Sequence, residues 1–424
     1  MAEQSKHSAD KSDQQFDIVV IGGGMAGLAF TAALADSAVS ILVVDRLSQP
    51  APSEWPESFD PRVSALSLAS ENLLKHVGAW PLMASQRVSP YQKMHVWDGE
   101  GTGQVDFANT EVETEHLGHI VENRVTQWAL YQKVLNQENA TFVTASLANL
   151  RQGIGGWQVT LDNGEQYHPD LLVGADGAQS QVRNKAGFQV RAWPYEHTAI
   201  VTTVKTSLPH EGVARQIFLE TGPLAFLPLQ GSVNSGDGTD QHYCSIVWSL
   251  QADTAQEIEA LGDRDFKQRL GAAFEHSLGD IVETDLRYSF PLIQRHCTHY
   301  IQPGLALIGD AAHTIHPLAG QGINLGFLDA AVLAEEVASS VAKGLNPGQR
   351  LGLRRYERRR KSHNLLTMGA MEGFKRAFEP LNWLLTMARN EGMNQFNRHY
   401  LAKRQVVSHA MGLAGDLPKI VKNG

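Results

Sequence analysis

Gly22, Gly24 and Gly27 lie between an apolar run (Asp17 to Ile21) and a helix-like run, and an acid follows at Asp45. Gly22 permits a tight turn, and Gly24 lets the backbone approach a pyrophosphate. Gly27 lets the helix pack on the strand while the amides at its start face the anion. Asp45, at the end of the next β-branched run, can accept both hydroxyls of a ribose. The pattern predicts a dinucleotide site and leaves open whether the ligand is FAD or NAD(P).

Two further motifs follow apolar runs of the same kind. Leu171 to Val173 leads into Gly174-Ala175-Asp176-Gly177-Ala178, with Ser180, Val182 and Arg183 close behind. Leu305 to Ile308 leads into Gly309-Asp310-Ala311-Ala312-His313 and on through Pro317 and Gly320 to Gly322-Ile323-Asn324. A strand ending at Asp310, a Gly- and Pro-containing turn and a helix from about Gly322 would leave free amides at the helix start, where negative charge is stabilised.

Together the three motifs resemble those of the single-component flavoprotein hydroxylases of the para-hydroxybenzoate hydroxylase fold. The resemblance implies an α/β chain: an FAD-binding Rossmann-type domain interleaved with an antiparallel β substrate domain and followed by C-terminal helices. It implies that Gly22, Gly24, Gly27, Asp45 and Asp310 hold FAD, with Asp310 at its ribityl and pyrophosphate part. Asp176 and Gly177 would serve both dinucleotides. Arg62 and Asn123 match an arginine and an amide that meet the pyrophosphate and ribityl groups. Asp45 stands where Glu is more usual. Gly322, Ile323 and Asn324 would favour the charge of reduced flavin, and Pro317, Gly320 and Gly322 would line the flavin face.

Within those hydroxylases the chain is most similar to the ubiquinone-biosynthesis group, from Asp17 to about Leu417. Leu117 to Asn123, Val213 to Phe218, Leu224 to Leu229, Cys244 to Leu250 and Leu353 to Arg358 carry the similarity. The activity implied is insertion of one oxygen atom from dioxygen into a polyprenylphenol ring at carbon 5, through a flavin 4a-hydroperoxide. Related members act at carbons 6 and 1. The cofactor carries the difficult chemistry, and no Ser-His-Asp or paired-carboxylate set accompanies the motifs. No second strand–G-x-G-x-x-G unit occurs, so NAD(P)H or another donor is expected to visit transiently. Two other readings are an NAD(P)-dependent dehydrogenase, which leaves the Gly309 to Asn324 motif unused, and a non-catalytic lipid-binding subunit that keeps FAD for structure.

The elements that must position these residues alternate α/β, β, α/β and α along the chain. The expected division is a loose tail at 1–15, a cofactor domain from 16–90, 117–190 and 286–345, a substrate domain from 91–116 and 191–285, and a helical region at 346–424. The 424 residues are 42% hydrophobic and 19% charged, which suits two or three packed domains. A net charge of −9 argues against nucleic acid as a partner. Two isolated cysteines fit a reducing, cytoplasmic setting. The uncharged run Ile18 to Ala35 is as long as a membrane span, but Gly22 to Gly24 break it and aspartates precede it, so neither span nor export is expected.

Three His-x-x-His pairs, His116/His119, His296/His299 and His313/His316, lack further convergent ligands in the sequence, and no metal is expected. A basic run from Arg350 to Lys361, followed by apolar residues, reads either as a solvated helix whose other side packs on the core or as a surface for anionic lipid or a partner of a ubiquinone-biosynthesis complex. The second reading would place the protein peripherally on the inner membrane.

Overall fold

The computed structural model describes residues 15–48, 51–56, 58–231, 240–314, 322–378 and 383–422. The expected loose tail lies almost wholly outside them, as do Pro317, Gly320 and nearly all of the Gly-Ser-Asp-rich stretch from 231 to 240.

The continuous apolar runs of the three motifs become the centre of one six-stranded sheet. Its order is Ile301–Gln302, Leu305–Leu307, Leu171–Gly174, Ile18–Ile21, Ile41–Asp45 and Ala140–Thr144. All pairings are parallel except the first. Parallel strands are covered on both faces, which is why they read as unbroken Val/Ile/Leu. Here the helices Met25–Ala32 and Gly322–Val341 supply part of that cover, and Leu28, Phe30, Phe327 and Leu333 are fully buried with the strands.

A second sheet, with strands from 93 to 108 and from 190 to 314, contains the β-rich runs expected of a substrate domain. Along it lie Tyr288–Cys297, Val190–Thr206, Tyr243–Gln251, Gly222–Leu229, Val213–Leu219, Lys93–Asp98 and Gln104–Ala108. The expected domain boundary at 286 is corrected here: Tyr288–Cys297 pairs along Val190–Thr206 and belongs to this sheet. The chain returns to the cofactor domain only at Ile301. Two helices, Ala252–Ala260 and Asp263–Ala273, parted at Leu261-Gly262, follow the strand Tyr243–Gln251. Both seal one face of the large sheet by burying Ile258, Phe266 and Leu270 against Ile217, Phe226 and Trp248.

A small sheet, Val63–Ser67 with Gly118–Glu122 and Val88–Tyr91, lies between the two domains. Its Ala65 and Ile120 pack against Ala214, Ala225, Leu227 and Leu229 of the large sheet. The remaining helices, Arg350–Ala377, Trp383–Arg398 and Tyr400–Ala410, form the C-terminal region. No helix among the described residues is long and apolar enough to cross a membrane.

Candidate functional site

The ends of the parallel strands bring the three motifs into contact. Gly22 has φ +113° and turns so tightly under the second motif that a Cβ on it would lie 2.3 Å from the Ala175 carbonyl oxygen. A Cβ on Gly27 would lie 2.1 Å from the Gly22 oxygen, so this glycine is required for packing. Gly24 differs from both. A Cβ there meets nothing within 4 Å, and the residue starts the helix without a side-chain cap, at ordinary backbone angles. An open, uncapped helix start is what an approaching phosphate needs. Gly309, at φ +58°, brings the third motif against the first, its missing Cβ facing that of Ala26 at 3.2 Å.

Asp45 accepts from the Gly23 amide at 2.6 Å and the Leu47 amide at 3.1 Å, so it holds the glycine turn while keeping acceptor capacity for a ribose. Asp310 is exposed by area, yet desolvation raises its carboxyl pKa above the usual range. Its carboxylate has no hydrogen-bond partner among the described residues, as suits a group awaiting hydroxyls. Arg62 is exposed and its guanidinium is likewise unpaired among the described residues. Asn123 accepts from the Ser64 hydroxyl at 2.6 Å through its oxygen, which leaves its NH2 to donate.

Other side chains named from the sequence are engaged inside the protein. Asp176 caps the helix Gln181–Lys185, accepting from the Ser180 hydroxyl and from the amides of Gln181 at 2.6 Å and Val182 at 3.1 Å. Gly177 carries the turn before it at φ +78°. Asn324 accepts from the Ser67 amide at 3.0 Å and the Ser70 hydroxyl at 2.6 Å, and donates to the Ala65 carbonyl at 2.8 Å. It clamps the small sheet to the start of the helix Gly322–Val341. Only the backbone amides of Gly322, Ile323 and Asn324 can then face a cofactor, and a Cβ at Gly322 would meet nothing within 4 Å.

The sequence reading passed over the group that holds the third motif in place. Asp329, fully buried on the helix Gly322–Val341, accepts from the Gly309 amide at 3.1 Å, His313 Nε2 at 2.5 Å, Arg360 Nε at 2.7 Å and Asn364 Nδ2 at 3.2 Å. Burial alone would raise its pKa, but the charges and hydrogen bonds of His313 and Arg360 outweigh it and bring the value to about 2. Arg360 is itself buried and donates to Asn364 at 2.7 Å. The basic run lies on a helix that is solvated at Arg354, Arg355 and Arg358 and packs on the core at Leu353, Tyr356 and Arg360, as the first of its two readings expects. Arg360 points inward, Arg359 pairs with Glu335 and Glu336 at 3.2 Å each, and Lys361 donates to the Thr298 carbonyl at 2.5 Å.

One of the His-x-x-His pairs also gains a partner that the sequence did not suggest. Glu71 meets His116 at 2.7 Å and His119 at 3.3 Å, with Lys75 on its other oxygen at 2.8 Å. Burial would raise the Glu71 pKa, but hydrogen bonds from His116, His119 and Lys75 hold it well below the carboxylate range. A group with a depressed folded pKa contributes its full stability above the unfolded value near 4 and loses it as pH falls. Thermal midpoints are thus expected to drop below about pH 5 more steeply in the wild type than in Glu71→Gln. Equal slopes would contradict this assignment.

The described residues fit FAD: an open uncapped helix start at Gly24, acceptors at Asp45 and Asp310, and donors at Arg62 and Asn123. Asp310→Ala is expected to give folded protein poor in flavin absorbance, and full retention of the yellow cofactor would refute its role.

Residues 15–368 match the family model described as an FAD binding domain. The chain is 34% identical to the 3-demethoxyubiquinol 3-hydroxylase of Escherichia coli, covering 95% of this chain and all of that protein. It is 32% identical to the mitochondrial ubiquinone biosynthesis monooxygenase COQ6 of Xenopus tropicalis, covering 93% of each. Among solved structures, the p-nitrophenol 4-monooxygenase of Pseudomonas putida superposes with a TM-score of 0.75 at 17% identity, over 95% of this chain and 99% of that one. At that identity the likeness speaks for the fold.

Proposed function

Since the chain belongs to the FAD-dependent hydroxylases of ubiquinone biosynthesis, we propose that it hydroxylates the ring of a polyprenylphenol at carbon 5. FAD, when bound, supplies the activation of dioxygen and the oxygen transfer. The chain's own residues hold and shield the reactants. The helix start at Gly24 and the exposed Arg62 take the pyrophosphate, Asp45 the ribose, and Asp310 the ribityl hydroxyls. The amides beginning the helix Gly322–Val341 stabilise charge at the flavin's pyrimidine edge.

The observation that carries the substrate reading is the similarity, over nearly the whole chain, to two hydroxylases of ubiquinone biosynthesis, and the apolar seam between the small and large sheets is consistent with it. Ala65 and Ile120 face Ala214, Ala225, Leu227 and Leu229, with Phe59, Tyr91 and Met94 packed beside them. The Asn324 clamp ties Ala65 to the helix that faces the flavin. These side chains pack on one another, so the seam is a dry apolar wall near the helix start that would face the flavin, the kind of surface a prenylated phenol favours.

A second ring position is favoured by one finding, the name of the Escherichia coli relative, a 3-hydroxylase of demethoxyubiquinol. Complementation of bacterial strains that each lack one ring hydroxylase, with mass spectrometry of the extracted quinones, separates the two. Rescue of the carbon 5 strain is expected. Rescue of another strain alone would move the position and keep the reaction.

NAD(P)H or another donor serves as the reductant. The exposed apolar side chains of the C-terminal helices, among them Leu366, Trp383 and Leu401, support peripheral association with the cytoplasmic side of the inner membrane or with a biosynthetic complex.

A further inference from the structure

The pair His116 and His119 has no third ligand near it in the sequence, and the fold brings one from 45 positions away. Glu71 belongs to the helix Leu68–His76, and its carboxylate reaches across to the strand Gly118–Glu122 and to His116 just before it. Its Oε2 is 2.7 Å from His116 Nε2 and 3.3 Å from His119 Nδ1. One ligand atom from each of the three side chains lies within 4.8 Å of the other two. Atoms that share one divalent ion at about 2.0–2.2 Å stand roughly 3–4 Å apart, so side-chain shifts of about half an ångström would close these three around an ion.

The surroundings suit an ion more than a closed hydrogen-bond network. His119 is 7% exposed, and its Nδ1 is buried with no well-formed hydrogen bond among the described residues. A buried nitrogen in that state is costly unless something completes it. Trp80 packs edge-on against the same ring, with centroids 4.9 Å apart, and fixes its direction. Glu71 divides its two oxygens: Oε1 takes Lys75 at 2.8 Å, while Oε2 faces both imidazoles. The Lys75 side chain is 45% exposed, so its ammonium can turn to water when a second cation arrives. His116 is only partly buried, which leaves a side for an ion to enter and to keep a water as its fourth ligand. The other histidine pairs differ. His296 meets the Tyr300 hydroxyl at 3.0 Å, and His313 meets the Asp329 carboxylate.

We propose that Glu71, His116 and His119 bind one Zn²⁺ ion per chain, with water as the fourth ligand, and that the ion fastens the helix Leu68–His76 to the strand Gly118–Glu122. Two imidazole nitrogens and one carboxylate favour zinc over Mg²⁺ and Ca²⁺, which prefer oxygen ligands. The proton that His116 Nε2 shares with Glu71 is released to water as the ion takes its place. The role is structural, no step of oxygen transfer passes through the ion, and the site is independent of the ubiquinone reading.

The test treats flavin-loaded full-length protein with a chelator, returns Zn²⁺ by equilibrium dialysis and counts bound metal by elemental analysis. One ion per chain is expected, with Kd at or below about 1 μM. Saturating Zn²⁺ should raise the thermal midpoint by about 5 °C, and Mg²⁺ should leave it unchanged. Co²⁺ in place of Zn²⁺ should give the visible absorption bands of a four-coordinate site. His116→Gln and Glu71→Gln should each weaken binding at least about a hundredfold, since even a residue that only supports a ligand is worth about 10–100-fold. Lys75→Ala removes the competing cation and should bind Zn²⁺ as tightly as the wild type or severalfold more tightly. His299→Ala, at an exposed histidine, should change nothing. Circular dichroism of the stripped proteins checks folding, and if Glu71→Gln does not fold, the partly exposed His116→Gln decides alone. No Zn²⁺ uptake by the wild type, equal uptake by His116→Gln, which would mark adventitious binding only, or weaker binding in Lys75→Ala would each overturn the proposal.

Discussion

Asp329→Ala is expected to lower the unfolding free energy by about 3–5 kcal/mol, because it leaves Arg360 buried without its counter-charge. Asp329 is 0% and Arg360 2% exposed, so water cannot replace the lost partner. The same substitution releases His313 and the Gly309 amide, both next to Asp310. Flavin content should therefore fall together with stability. Urea unfolding of the purified variant measures the first effect, and absorbance per chain the second. The double variant Asp329→Leu with Arg360→Met is informative because an apolar pair of similar size removes the unpaired charge. It is expected to recover most of the unfolding free energy but not the flavin, since the bond to Gly309 stays absent. A loss below about 1 kcal/mol in Asp329→Ala would mean that the network does not hold the turn.

Gly24→Val should leave the fold intact and abolish flavin binding. Gly24 has φ −76°, which any residue adopts, and a Cβ there meets no atom within 4 Å. The added side chain thus costs the protein alone little, and it occupies the space that a pyrophosphate would enter. Gly27→Val is the contrasting control. Its Cβ would lie 2.1 Å from the Gly22 oxygen, so that variant is expected to misfold. Circular dichroism and thermal unfolding of flavin-free protein, beside flavin absorbance after purification, separate the two. A yellow Gly24→Val protein with wild-type cofactor content would contradict the placement of the pyrophosphate.

Both predictions bear on what the sequence made legible. The glycine turn, the strands leading to it and Asp45 were readable because each obeys a local rule: a β-branched run, a tight turn, a helix start. The strands of the substrate domain were readable by composition, as runs rich in β-branched and aromatic residues. The domain boundary near 286 was not. Whether Tyr288–Cys297 pairs with one sheet or the other depends on partners about a hundred positions away, and its own pattern suits both. Asp176 and Asn324 were named as cofactor contacts, but hydrogen bonding to Ser180 and to the Ser67–Ser70 segment, which no spacing rule expresses, decides what their side chains do.

Asp329 left a signal that could have been followed. It is the lone charge in the apolar stretch Leu325 to Ala334, and a lone carboxylate on a buried helix face requires a cation from another element. The basic run that starts at Arg350 contained that cation. No spacing rule says which cation of a solvated, core-packing helix turns inward: Arg360 does, Arg359 pairs with Glu335 and Glu336, and Arg354 and Arg358 stay exposed.

The most direct measurement supplies flavin-loaded enzyme with reductant, a polyprenylphenol and isotopically labelled dioxygen, and follows the product by mass spectrometry. The account predicts a ring-hydroxylated product carrying one labelled oxygen atom. Reductant consumed with all the label recovered in hydrogen peroxide or water, and no hydroxylated phenol, would contradict it.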